Sequence, residues 1–466
     1  MKTRHIVAIA LAVAVVASAC GAESESTTTM TEPAETTTTS TAPTGSTAPT
    51  DSPEPTDSPE SAATGELVRA EVPRDTAPSV TDDEVAAVVA GDTEFALDIF
   101  RVAAAGGENT MLSPNSIATA LTMTYGGARA TTAQEMAATL HLGLLEDRIH
   151  AARNELDLRV TAETPQVPED DSQPFTINTA NSVWGQPDYP FLEAFLDMLA
   201  RDYDAGMYLA DFANDTEGAR VAINDWVEDE TEGRIQDMLP PGVLTSLTRM
   251  VLVNAIWFKA NWATQFEPAL TAPGAFTLLD GTTVEAQLMH GLVTMPYLTG
   301  DGFAAAAIPY AGDADMIVVL PDPGRFVEVT AALGSDDLDV RAGGERREVD
   351  LTMPKFEFEA EFGLKGALQE LGMAEAFNPP PGPGTADFTG ITEGGELYVQ
   401  DVVHKSFIKV DEQGTEAAAA TAVILGLTSL PQPATLTLDR PFLFVIRHRS
   451  TGEILFIGQV TNPTVG

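Results

Sequence analysis

From about residue 81 to 466, apolar residues recur with helical spacing in some segments and strand alternation in others, and the two kinds interleave. Residues 83–105 read as a helix whose apolar side is Phe95, Leu97, Ile99, Phe100 and Val102. Ser113 stands directly before Pro114 and the apolar Ile117, Ala118, Ala120 and Leu121. A hydroxyl there can cap a helix that starts at Pro114, where the absent N–H would be unbonded anyway. Residues 177–184 read as a strand, and 219–231 as a helix with Ile223 and Trp226 inward. Residues 250–262 are apolar almost throughout, the character of a strand buried on both faces. Asn254 in its middle predicts a buried polar cluster, because an amide in an apolar core needs hydrogen-bond partners. Residues 407–410 read as a buried strand, and 440–446 with 454–463 as a hairpin around Ser450, Thr451 and Gly452.

After Val410 the pattern changes. Gly414 permits a bend, residues 417–420 are all alanine, and no proline appears until Pro431. Every backbone N–H in between is therefore free to donate to a sheet ladder. On a strand, Thr415, Ala417, Ala419, Thr421 and Val423 share one face, and Glu416, Ala418, Ala420 and Ala422 the other. Four alanines suit a short helix equally well, and periodicity does not decide so short a run.

The amino-terminal end adds a targeting reading. Lys2 and Arg4 precede an apolar run from Ile6 to Ala17, followed by Ser18, Ala19 and Cys20. Positive charge, a short apolar core and small residues before a cleavage point make a secretory signal over residues 1–19, too short to be a stable spanning helix. Cys20, the single cysteine, sits where a bacterial lipobox places a lipidated thiol, with plain secretion as the other outcome. An exported domain with no second cysteine has no internal disulfide and is held by packing. Residues 20–80 are rich in Thr, Ser and Pro, too polar to bury the surface that offsets ordering entropy, and read as a disordered linker or stalk.

Charge then excludes a class of partners. The chain carries 69 acidic and 25 basic side chains, a formal net charge of −44. So negative a surface argues against nucleic acid and anionic membranes; it is an acidic solvated surface or one that steers a basic partner.

Several stretches together resemble one family. Val402-Val403-His404-Lys405, followed by Val410-Asp411-Glu412-Gln413-Gly414-Thr415-Glu416-Ala417-Ala418, resembles the reactive-loop hinge of serpins, which are mostly serine-protease inhibitors. Ser-Pro-x-Ser-Ile-x-x-Ala-Leu from Ser113 is similar to the second serpin helix, and Gly126-Gly127-Ala128 continues the match. Residues 351–356 look like a strand of the family's central sheet, and 308–310 with 316–321 like a family strand pair. The resemblance covers nearly the whole of residues 81–466. It implies an α+β serpin fold, a mixed multi-sheet domain with surrounding helices and an exposed reactive loop.

Carried over residue by residue, it implies a gate cluster of Ser113, Ser116, Asn254 and His404 beneath the point where the central sheet opens. Trp262 matches the aromatic at the sheet top, where Lys355 and Glu412 are expected to pair. The hinge comprises Glu412, Gly414, Thr415, Glu416, Ala417, Ala418, Ala419, Ala420 and Thr421. Family spacing puts the attacked bond between Thr428 and Ser429, with Leu427 or Leu425 as alternatives. None of these is basic, which disfavours a trypsin-like pocket and fits pockets for small or aliphatic residues. The implied activity is suicide-substrate inhibition of a serine protease by a monomer without metal or cofactor, extracellular, either on the outer face of the cell membrane as a lipoprotein or secreted.

Two other classes share some of these residues. A non-inhibitory serpin acting as a surface binding lipoprotein has the same framework; the absence of proline or bulky charge from Gly414 to Ala422 speaks against it. An esterase using Ser113 and His404 needs an acidic orienter and an exposed nucleophile, and no Gly-x-Ser-x-Gly surrounds Ser113. Arg148, Arg153 and Arg159 are scattered among acids, so no site for an acidic polysaccharide is expected.

Overall fold

A computed structural model of the protein describes residues 65, 67–68, 70–162, 175–415 and 433–465. All lie in one compact unit, Glu60–Gly466. The signal segment, Cys20 and the proposed cleavage site fall outside the described residues.

Two of the helices that frame the site begin at a side-chain cap supplied by the sequence. In α1 (Asp82–Ala103), Thr81 accepts the Glu84 N–H while the Glu84 carboxylate accepts the Thr81 N–H, closing a capping box. In α2 (Pro114–Tyr125), Ser113 is the N-cap and Pro114 the first residue. Then come α3 (Ala130–Thr139), α4 (Glu146–Thr161), α5 (Glu193–Tyr203) and α6 (Thr216–Glu230), with shorter helices later in the chain.

The first strands are β1 (Leu67–Val68), β2 (Thr110–Leu112), β3 (Phe175–Gly185), β4 (Met207–Leu209) and β5 (Met250–Asn261). After them run β6 (Ala272–Thr277), β7 (Thr283–Gly300), β8 (Phe303–Pro309), β9 (Ala314–Pro321), β10 (Glu345–Pro354) and β11 (Phe356–Gly363). The last are β12 (Val403–Val410), β13 (Gly414–Thr415), β14 (Ala434–Thr437), β15 (Phe442–His448) and β16 (Ile454–Val460). A seven-stranded central sheet has the order β1-β4-β3-β5-β13-β12-β11. A nine-stranded sheet runs β14-β10-β7-β8-β9-β15-β16-β2, with β6 on β7. Helix α6 buries Ile223 and Val227 in a core cluster that contains Trp184 of β3 and Val253 of β5.

Two sequence expectations change here. Residues 351–356 do not form one strand of the central sheet: Leu351 to Pro354 end β10 in the nine-stranded sheet, and the central sheet's β11 starts at Phe356. Buried positions are Val349, Leu351 and Met353 before the switch, then Phe356, Phe358 and Ala360 after it. The alternation thus slips by one residue at Pro354-Lys355, where the chain crosses between sheets. Pairing also begins inside the stretch that composition assigns to the linker. Leu67 and Val68 pair with Tyr208 and Met207 of β4, and Arg74 bonds to Asn154 and Asp157 of α4.

A buried ionic strut ties the helices to the nine-stranded sheet. Arg153 of α4 donates to both carboxylate oxygens of Asp92 on α1, at 2.6 and 3.0 Å, and each side chain is 2 % exposed. Glu453, at the start of the β16 side of the hairpin, is fully buried nearby and accepts from Asn115 Nδ2 at 3.2 Å. Burial and the Asp92 charge push the Glu453 carboxyl up. Breaking a buried pair leaves one charge uncompensated. Arg153→Met is therefore expected to lower stability by about 3–5 kcal/mol in urea unfolding. Adding Asp92→Asn should recover most of that loss; a double variant as unstable as the single one refutes the pairing account.

Candidate functional site

The central sheet is well paired on either side of a thin seam. β3 and β5 pair from Phe175↔Ala260 to Gly185↔Met250, and β11 and β12 along the full length of both strands. Between β5 and β12 only three parallel pairs are formed: His404↔Asn254, Lys405↔Ala255 and Ser406↔Ile256. Above them the two-residue β13 sits between the same strands, Thr415 opposite Val410 on one side and Ala260 on the other.

Beneath the seam lie three of the four residues picked from the sequence for the gate, Ser113, Ser116 and His404. Alternation along β12 turns His404, Ser406, Ile408 and Val410 inward. His404 is fully buried, and its Nε2 accepts the Ser113 N–H at 3.1 Å. Ser113 Oγ in turn accepts the Ser116 N–H at 3.4 Å as the cap of α2, and both serines are fully buried. Ser406 Oγ donates to the Met111 carbonyl at 2.9 Å. The start of α2 is thus fastened to β12. The backbone of Asn254 lies opposite His404 and Asn181, and its side chain is outside the described residues. A fully buried serine that serves as a cap offers no exposed nucleophile, which removes the esterase reading.

Burial drives the His404 imidazole down to about 3, and the bond it accepts at Nε2 suits the neutral ring. His150, whose Nδ1 lies 2.6 Å from the Tyr203 hydroxyl, is pushed down to about 4 chiefly by burial.

At the top of the seam the chain leaves β12 in a tight turn. The Asp411 N–H donates to the Gly414 carbonyl at 2.9 Å, and the Gln413 N–H to Asp411 Oδ1 at 2.9 Å. Glu412 accepts from Lys355 Nζ at 2.7 Å and from the Thr271 hydroxyl at 2.7 Å. Burial alone would raise its pKa, but these two donors hold the carboxyl below the usual range. Trp262, which follows β5, is buried. Its N–H donates to the Gln413 carbonyl and its indole N–H to the Asp411 carbonyl. The Phe266 N–H donates to the Glu412 carbonyl at 2.8 Å. A Cβ on Gly414 would collide with the Ala260 carbonyl oxygen, so only glycine fits.

The remaining hinge residues, Glu416, Ala417, Ala418, Ala419, Ala420 and Thr421, and the bond candidates Leu425, Leu427, Thr428 and Ser429, lie outside the described residues. Sequence reasoning missed Tyr310 and Thr271, which touch the hinge from other segments. No local signal marks either. It also missed the Asp92–Arg153 pair, although an aspartate among Val88, Val89, Phe95 and Ala96 on one helix side was such a signal. Arg148 and Arg159 are engaged with Glu84, and with Asp82 and Glu155, respectively.

An imidazole with a lowered folded pKa takes up its proton on unfolding. Stability is then full above about pH 6.5 and falls as the pH drops toward 3. At pH 5, His404 and His150 are each expected to remove about 2 kcal/mol relative to pH 7. His404→Asn should lose its share of that difference, read from urea midpoints at the two pH values; an unchanged difference refutes the assignment. At the sheet top, Glu412→Lys sets two cations together and removes the acceptor of Thr271. It should cost about 1–3 kcal/mol and promote self-association on warming, because an opened sheet accepts foreign strands. A variant that elutes as wild type after warming, with the same melting temperature, leaves the pair without a role.

Comparison with known proteins places this geometry. The family model described as serpin (serine protease inhibitor) matches residues 90–463. An uncharacterized serpin-like protein of Thermococcus kodakarensis is 38% identical over 81% of this chain and 86% of its own. Human leukocyte elastase inhibitor is 32% identical over 80% of this chain and 98% of its own. The native-state crystal structure of the thermophilic serpin tengpin superposes with a TM-score of 0.74 at 27% identity, covering 86% of this chain and all of that one. With the seam, the capped helix beneath it and the hinge turn above it in one body, the chain belongs to the serpin family.

Proposed function

We propose that this protein is a suicide-substrate inhibitor of a serine protease. What carries the reading is the central sheet, whose two halves meet through three residue pairs while the first residues of the loop, Gly414 and Thr415, already stand between them. In the proposed reaction the protease serine attacks the carbonyl of Thr428. The bond to Ser429 breaks, the new amine leaves with the carboxy-terminal piece, and an ester joins protease and loop. The freed segment from Thr415 onward then enters the seam as a full strand. About 14 residues at roughly 3.3 Å each carry the protease some 45 Å and distort it before water cleaves the ester. The inhibitor is consumed, and its starting state is held kinetically.

Residues 425–429 are small or aliphatic, which fits a protease with a small or apolar primary pocket. The name of the human relative, leukocyte elastase inhibitor, supports the same class. The signal-like residues 1–19 and Cys20 support export, with lipid attachment through Cys20 and residues 20–80 as spacer. Among the described residues no helix is long and apolar enough to cross a membrane.

Incubation with a panel of serine proteases, followed by denaturing electrophoresis and mass mapping of the nick, tests the reading. A covalent complex is expected, with the carboxy-terminal piece from Ser429 onward released; clean cleavage without complex for every protease refutes it. Thr415→Arg is expected to be cut at the same bond yet raise the stoichiometry of inhibition more than about tenfold, because a buried unpaired guanidinium stalls insertion. An Arg variant that traps protease one to one sinks the insertion step.

A further inference from the structure

Tyr310, which follows β8 in the nine-stranded sheet, meets the hinge 105 positions further along the chain. Its hydroxyl lies 2.7 Å from Thr415 Oγ1, and both residues are 1 % exposed. The ring is fixed by packing. It stacks on Trp262 at 4.5 Å with an interplanar angle of 8° and meets the edge of Phe258 at 5.2 Å. Trp262 bonds the Asp411 carbonyl, so the two aromatics grip both limbs of the turn. Burial holds the phenol protonated, so it stays a donor or acceptor for Thr415 throughout the neutral range.

We propose that Tyr310 is a positioning residue for loop insertion: its hydroxyl seats Thr415 between β5 and β12, where the first residue of the inserted strand must stand, so that insertion starts from a formed seed. The proposal rests on the inhibitor reading for its role in trapping, but the seat itself acts on any insertion. A new strand must order residues before its hydrogen bonds repay that ordering. Here Gly414 and Thr415 are ordered before the loop is cut. The hydroxyl pair also sets the chemistry of the seat. Replacing one partner by an apolar residue leaves the other buried and unsatisfied, whereas replacing both leaves nothing orphaned.

The test is a cycle of Tyr310→Phe, Thr415→Val and the double variant, with Thr415→Ser as the conservative control. Two measurements need no trapped protease. One is hydrogen exchange of the Gly414 and Thr415 amides in the intact protein. The other is the rate at which melting temperature rises after a metalloprotease, which forms no ester, nicks the segment 416–432. Each single variant is expected to speed exchange and slow insertion about tenfold. The double variant should be no worse than either single one, and Thr415→Ser should match wild type. The proposal is overturned if the singles leave both rates unchanged, or if Tyr310→Phe has the same effect in the Thr415→Val background as in wild type, which is the mark of a general packing role. Thr415→Val keeps the test informative should Tyr310→Phe fail to fold. A nicked wild type that never gains stability also overturns it. A wild type that inserts yet traps no protease refutes only the inhibitor reading.

Discussion

Three parallel residue pairs between β5 and β12 hold the two halves of the central sheet together, and the rest of the molecule is arranged around that join. Backbone hydrogen bonds contribute about 0.5–1.5 kcal/mol each once exchange with water is counted. So short a join is therefore weak beside the full-length ladders on either side of it. Among the described residues, β5 and β12 meet directly at these three pairs alone. Above them the described chain adds a turn and the two residues of β13 between the same strands.

The groups that keep the join in place are polar and buried, and each is held by a specific bond. His404, Ser113 and Ser406 link β12 to the segment that starts α2. Glu412 is bound by Lys355 from the crossing between sheets and by Thr271 from a third segment. Apolar side chains would fill the same volumes without dictating register, because hydrophobic contact is non-directional. Hydrogen bonds fix which residue faces which, at the risk that any lost partner leaves a buried group unsatisfied. The sheet is thus guarded at its middle and its top by contacts that are either made completely or broken at a cost.

How much of this was legible in the sequence follows from how local each signal is. Ser113 before Pro114 announced the helix start, because capping depends on neighbours in sequence. Gly414 announced a place where backbone approaches backbone, whereas the side chain of Asn254, from which a polar cluster is expected, lies outside the described residues. What stayed hidden was which sheet a strand joins. Residues 345–363 alternate through the crossing at Lys355, and only the one-residue slip in the buried positions separates β10 from β11. Tyr310 was hidden for a different reason: it meets Thr415 from a separate segment after β8, and nothing near either residue encodes the meeting. The assignment of Ser113, Ser116, Asn254 and His404 as a group came through family resemblance, since no spacing rule joins positions so far apart.

Under the proposed insertion, the inward face of the seam also accounts for the composition of the loop. β12 presents His404, Ser406, Ile408 and Val410 inward, and β5 buries Ile256, Phe258 and Ala260. A strand continued from Thr415 would carry Ala417, Ala419 and Thr421 to the same face as Thr415, by the two-residue period. Those side chains are small, and they would enter between residues that already fill the core beneath. Interiors packed to crystal-like density resist added volume, and overpacking costs about 1–3 kcal/mol per site. Larger residues at these positions would therefore oppose such an entry even where new backbone hydrogen bonds favour it. The alanine run that suits a helix equally well on propensity is, under the proposed insertion, a run of side chains small enough to enter as a further strand.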